Sequence, residues 1–401
     1  NEERLSSALA GEKIAYVSRI RIGIDILNQL PKPLASKYEE LVEKPELILE
    51  NLIICLEIPL AKTVSRLYPD LVSNKTITFY AYKACCFDQR ADKPPGDAEE
   101  VGTRGKDDAF PMVRGIPPVD ESLRKAYHYK IAPSIPLCES ILGLTASPVT
   151  TALNSALVAM KLSIIFLNRN VEKQVTDMTS ILGDLERTET VLEIIEKAQD
   201  CFEATVSARG LEFQGWDSIW DASVSDKSAH EFNLFEVYET LLSMSESKEE
   251  ALDLQVWLSH VANFAVRLDL IHTLLSHEIP ASFRDFASVP AIDQTIQFIS
   301  DEENYNIAIF VATKFALDPS RIWETWGIGL INLSEYPEAR AKLERAVKTS
   351  VPFSDASRQA EIALHAVGTL EKGKMVNVNK IYDSTHKIAQ EKSSKPKGWF
   401  N

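Results

Sequence analysis

Histidines, cysteines and clustered carboxylates are the groups in this 401-residue chain that could hold a metal or move a proton. His272 and His277 stand five apart, a spacing that puts them on different faces of a helix, and neither belongs to an H-E-x-x-H pattern. His260 and His272 are twelve apart, too far for their spacing to define a site, and His128, His230, His365 and His386 stand singly. All seven are expected to be satisfied or solvent-facing side chains. The cysteines Cys55, Cys85, Cys86, Cys138 and Cys201 are odd in number and form no C-x-x-C pair, so neither a disulfide framework nor a zinc site is expected. A reducing, cytosolic setting fits them. One of the adjacent pair Cys85 and Cys86 is expected to be buried on a helix, the other half-exposed.

Phosphate and nucleophile motifs are also missing. A phosphate loop needs a glycine-rich run ending in Gly-Lys-Ser/Thr, but Gly373-Lys374 is followed by Met375 and Gly105-Lys106 by Asp107. No G-x-S-x-G elbow occurs. The acidic clusters Glu246, Glu249, Glu250 and Asp301, Glu302, Glu303 fall at predicted helix starts, where carboxylates suit the positive end of the dipole. Nothing selects a catalytic pair among them, and the expectation is that this chain is not an enzyme and carries no cofactor.

The tryptophans are more informative. Residues 322–347 read IWETWGIGLINLSEYPEARAKLERAV. With Trp323 on the fourth position of a tetratricopeptide unit, Gly327 falls on the eighth, Tyr336 on the seventeenth and Ala339 on the twentieth. Leu343 and Ala346 then occupy the twenty-fourth and twenty-seventh, and Pro352 lies within one residue of the closing proline. Small residues let two helices approach, while Trp323, Trp326 and Leu343 fill the space between them. Ser334 is the expected N-cap of the second helix, with Pro337 in its first turn. Trp257 and Trp399 read as further core residues. Trp216 and Trp220 lie in an Asp- and Ser-rich stretch, 210–233, that reads as a loop, and this makes them the candidate partner contact.

The elements around these residues are predicted to be helical nearly throughout, because apolar residues recur at the 3.6-residue period and no sustained alternation occurs. Residues 40–69 give short helices broken near Pro45 and Pro59. Residues 74–87 give a helix with an aromatic face, Ser147-Pro148 opens a longer one, and 171–208 read as two more. Further helices are predicted near 233–245, 248–277, 290–300, 303–316, 319–333, 335–348, 355–370 and 374–390. The fold class expected is all-α: an α-solenoid of helical hairpins built from degenerate TPR-like repeats. Its organisation is an N-terminal helical segment (1–87), a Pro- and Gly-rich flexible linker (88–126), helical repeats (127–232), and a TPR-like solenoid with a basic tail (233–401).

Charge narrows the partners. A net charge of −15 argues against nucleic acid, since phosphate contacts need clustered Lys and Arg. No apolar run is expected to reach membrane-spanning length, and the first residues are charged rather than leader-like. Lys372, Lys374, Lys380, Lys387, Lys392, Lys395 and Lys397 make the tail locally basic, which allows peripheral contact with an anionic membrane.

Three stretches in order resemble one family. These are KPELILENLIICLEIPLAKTVSRLYP with TFYAYKACCFD, then YHYKIAPSIPLCESILGL (127–144), then DPSRIWETWGIGLINLSEYPEARAKLERAVKTSVPFS. They are similar to the C-terminal helical region of the spastizin family of large FYVE zinc-finger proteins of late endosomes and lysosomes. The resemblance covers about 40–390. In that family the FYVE finger, with two zinc sites of four Cys or His ligands each, stands between the first and second stretches. No Cys occurs here between Cys86 and Cys138, so the finger is missing and its zinc and phosphoinositide sites have no residues to fall on. The resemblance implies a protein scaffold that pairs with a spatacsin-like protein and the fifth adaptor-protein complex. The settings it implies are endosome-to-Golgi retrieval and the reforming of lysosomes after autophagy, with a link to cytokinesis. A helical-repeat subunit of another coat, tether or lid complex is the alternative.

Overall fold

The computed structural model describes residues 24, 28, 46–69, 72–85, 134–145, 147–169, 177–208, 213–245, 253–352 and 354–371. The expected linker 88–126, Cys86, His128, the helix at 374–390, the basic tail and Trp399 lie outside the described residues. Among the described residues there are fourteen α-helices and two 3-10 turns, with no strand. The chain divides into two compact units, each discontinuous in sequence.

The first unit draws on 1–169, 182–216 and 233–272. It contains α1 (Glu46–Ile54), α2 (Ile58–Leu67), α3 (Asn74–Ala84), α4 (Ile135–Leu142) and α5 (Pro148–Phe166). Most of α6 (Met178–Ala208), α8 (Leu234–Ser245) and most of α9 (Leu254–Ser276) complete it. Helix α5 is its centre, packed against α3, α4 and α8. It buries Leu153, Ala156, Leu157, Val158, Ala159, Met160 and Leu162 on all sides, the pattern of a core helix rather than a surface one. Among the described residues this is the one helix long and apolar enough to cross a bilayer, contrary to the expectation that none would be. Of that apolar window 67% is buried within the protein, which explains its composition. Polar ties run between its neighbours: Asn74 donates to the Ser245 carbonyl (3.0 Å), Asn154 donates to Asn74 (3.3 Å), and the Tyr80 hydroxyl donates to Glu50 (2.6 Å). Cys85 and Cys138 are both buried free thiols, and their mutual contact, with burial, pushes the Cys138 thiol upward. They serve as small hydrophobes.

The second unit draws on 170–181, 217–232 and 273–401. It holds most of α7 (Trp216–Ser225), the 3-10 turns Ser228–His230 and Phe283–Phe286, and α10 (Val289–Asp301). Then follow α11 (Tyr305–Lys314), α12 (Ser320–Asn332), α13 (Tyr336–Thr349) and α14 (Asp355–Leu370). From α10 onward each helix packs on the next, and α14 also packs on α12.

Helix boundaries follow from two local rules. Pro59, Pro136, Pro148, Pro290 and Pro337 occupy the first turns of α2, α4, α5, α10 and α13. There the missing N–H costs nothing, so Pro59 opens a helix rather than breaking one. Five helix ends close with a residue in the left-handed region: Leu56, Glu278, Glu303, Ala316 and Ser334, at φ 50–66°. At each, two successive N–H groups fold back to carbonyls of the last turn, as Ser334 does to Ile331 (3.0 Å) and Glu335 to Leu330 (2.9 Å). Ser334 therefore terminates α12 instead of capping α13, whose N-cap is Glu335.

Two other expectations change. Residues 178–208 form one helix of 31 residues rather than two, since its only glycine, Gly183, costs about 1 kcal/mol in a helix interior, too little to stop it. The Asp- and Ser-rich stretch expected as a loop contains α7, because its apolar residues Trp216, Ile219, Trp220 and Val224 recur on one helical face.

Candidate protein-interaction site

Helices α12 and α13 form the tightest hairpin of the second unit, and its crossing is built from residues of very different size. A Cβ added to Gly327 would lie 2.6 Å from Leu343 Cγ and 2.8 Å from its Cδ2, so only glycine admits Leu343 this closely. Trp323, Leu330, Ile331, Ala339, Leu343 and Ala346 form one buried cluster, which Trp326 and Tyr336 flank. Ala360 and Val367 extend the cluster to α14, and Arg340 pairs with Glu371 just beyond that helix. All seven residues named from the repeat pattern thus meet in a single core.

The same hairpin carries an aromatic stack. Tyr305 lies on Trp326 (5.3 Å, 10°) and Trp326 lies beside Trp323 (5.6 Å, 9°). Lys342 sits over Trp326, its Nζ 3.3 Å from the ring centre, and Arg345 over Trp323 at 5.0 Å. Burial and the neighbouring Arg345 hold the Lys342 ammonium below its ordinary value. Cations on these ring faces are attracted by the ring quadrupole and screen the indoles from water. One turn away, Glu324 is 6% exposed, and burial pushes its carboxyl up to about 7 against the lowering pull of Arg321.

A cleft of about 520 Å³ opens beside the stack. Its apolar lining is Ile307, Trp326, Leu330 and Leu333; its polar lining includes His277, Glu303, Asn304, Tyr305, Asn306 and Asn332. No Lys or Arg lines it. Gly329 forms part of the wall, where a Cβ would meet the Tyr305 hydroxyl at 3.4 Å. Burial, Glu303 and Asp301 together raise the Tyr305 phenol above its ordinary value. The sequence pattern located the wall at Trp326 but not the asparagines, which come from two helix ends that only packing brings together.

Trp216 and Trp220 do not form an exposed pair. Trp220 is 3% exposed, donates from Nε1 to the Lys314 carbonyl (3.2 Å) and meets Phe315 edge-on at 5.5 Å. Trp216 is half-buried against Phe202, Phe213 and Trp257 in the first unit. Trp220 is a core residue and Trp216 a half-buried one, because the segment is helical and turns their rings inward. Among the described residues no group of three or more His, Cys, Asp and Glu gathers as a metal set.

Fold and geometry define a helical protein that carries, among the described residues, an open cleft beside a tryptophan hairpin. Comparison with known proteins adds distant relatives. The chain is 25% identical over 118 residues to "Zinc finger FYVE domain-containing protein 26" of Bos taurus, which covers 27% of this chain and 4% of that protein. The Mus musculus protein of that name gives the same values. A protein of Dictyostelium discoideum is 21% identical over 444 residues, covering 93% of this chain and 15% of that protein. The chain thus spans a small fraction of each relative's length, and the similarity supports a distant relation. No protein-family profile and no solved structure matches the chain.

Proposed function

We propose that this chain is a non-enzymatic scaffold, an α-solenoid of TPR-like hairpins distantly related to the helical C-terminal region of spastizin. The single observation that carries this reading is the α12–α13–α14 packing, in which Gly327 admits Leu343 and the small residues Ala339, Ala346 and Ala360 continue the same core. Stacked hairpins of this kind present long ridged surfaces to partners and need no catalytic pocket. The distant likeness to a FYVE zinc-finger protein supports the choice of family.

On this reading the chain assembles with a spatacsin-like protein and the subunits of the fifth adaptor-protein complex. It acts in the cytosol, peripherally on late endosomes and lysosomes, in retrieval to the Golgi and in lysosome reformation after autophagy. The basic tail gives it a second, electrostatic contact with anionic membrane, and zinc belongs to the absent finger alone. Affinity capture from cytosol with the full chain, read by mass spectrometry, tests this. Recovery of a spatacsin-like chain with adaptor subunits is the expected result; recovery of another coat, tether or lid complex instead would assign the chain to that alternative.

A further inference from the structure

We propose that the cleft beside Trp326 takes a short extended peptide of a partner protein, with an aliphatic side chain seated against Leu330 and Leu333 and a Lys or Arg beside it at the Asp301–Glu303 turn. This rests on the scaffold reading above and names the chemistry of the partner segment.

Three properties of the cleft converge on that occupant. The cleft is an open surface concavity of about 520 Å³, which has room for a few residues. Asn304, Asn306 and Asn332 line it, and among the described residues none of their side-chain amides is hydrogen-bonded within the fold. Each amide offers both a donor and an acceptor. An extended main chain presents the same alternation of N–H and C=O, so it can be held whatever its sequence.

The apolar wall supplies selection. Leu333 is 70% exposed although it follows a well-packed helix, and it stands beside Leu330 on the lining. The wall is rigid where it matters, because Trp326 is fixed between Tyr305 and Trp323. An aliphatic group placed there would bury apolar surface that now faces water.

Charge selects the flank. Asp301, Glu302 and Glu303 are exposed on the turn between α10 and α11, and no cation lies on the lining to balance them. Glu303 itself lines the cleft, as does Tyr305, whose phenol Glu303 and Asp301 help to raise. A Lys or Arg side chain would complete this arrangement, whereas an acidic segment would be repelled.

The test is a positional-scanning array of nine-residue peptides probed with the full chain. The expected result is enrichment of Leu, Ile or Met beside Lys or Arg. Binding of the enriched peptide should fall at least tenfold in Leu333→Asp and in Asn306→Ala, both at exposed positions, with unchanged melting curves. Selection of acidic peptides, no selection, or binding indifferent to both variants would overturn the proposal. So would self-association of the chain that Leu333→Asp abolishes with no peptide selected, since the occupant would then be a second copy. Failure of the affinity capture with retained peptide selection would sink the family reading and leave the cleft standing.

Discussion

Leu343 occupies the space in which any other residue at 327 would place its side chain, with Cγ 2.6 Å from the position of a Gly327 Cβ. The two helices of the hairpin are thus matched at one point of contact. Leu343 is fully buried and cannot move aside into solvent. Gly327→Leu is expected to unfold this hairpin and loosen α14, which shares its core, at a cost of roughly 1–3 kcal/mol or more. Urea denaturation measures it, and an unchanged midpoint would remove the hairpin as the organising contact.

Glu324 should make stability depend on pH. Its carboxyl is raised from 4.5 to about 7 by burial, so between those values the folded chain keeps a proton that the unfolded chain has lost. Stability from this group is full below the lower value and is lost as pH rises towards 7. The loss is on the order of 3 kcal/mol. Glu324→Gln should flatten the difference curve and be the more stable variant above pH 7. Parallel stability profiles for the two proteins across this window would contradict it.

The left-handed helix ends predict stabilising changes. Ala316 and Ser334 adopt φ of 50° and 66°, which costs a residue with a Cβ roughly 1–2 kcal/mol. Glycine avoids that strain but loses more chain entropy on folding. Ala316→Gly and Ser334→Gly should therefore each stabilise by about 0.5–1 kcal/mol, raising the melting temperature. A lower melting temperature in both would mean that these ends are held by something other than the backbone turn.

Trp220 should behave as a core residue. Its ring meets Phe315 edge-on and its N–H donates to the Lys314 carbonyl, so Trp220→Ala should cost about 3–5 kcal/mol in chemical denaturation. A variant with wild-type stability that nonetheless lost partner capture would restore Trp220 as a contact residue.

The all-helical character and the tryptophan hairpin were legible in the sequence because both are local. The 3.6-residue period marks each amphipathic helix, and the Trp–Gly–Tyr–Ala spacing is set by one pair of crossing helices. The helix ends were less legible. Leu56, Glu278, Glu303, Ala316 and Ser334 do what glycine or asparagine commonly does, so composition carries no signal for them, and Ser334 reads as the start of α13 although it closes α12. The stretch around Trp216 and Trp220 read as a loop because its Asp and Ser residues outnumber the apolar ones, although the latter share a face. The cleft was illegible, since Asn304, Asn306 and Asn332 are unremarkable until α11 and α12 pack together. The division into two units is set by contacts between distant segments, which periodicity does not encode.

Direct assembly of the purified components is the measurement that bears most closely on the scaffold reading. The full chain would be mixed with a purified spatacsin-like protein and resolved by size-exclusion chromatography with multi-angle light scattering. Co-elution at the mass of a defined complex is expected, with loss of that complex in Gly327→Leu. Separate elution of the two proteins at concentrations well above micromolar would contradict it.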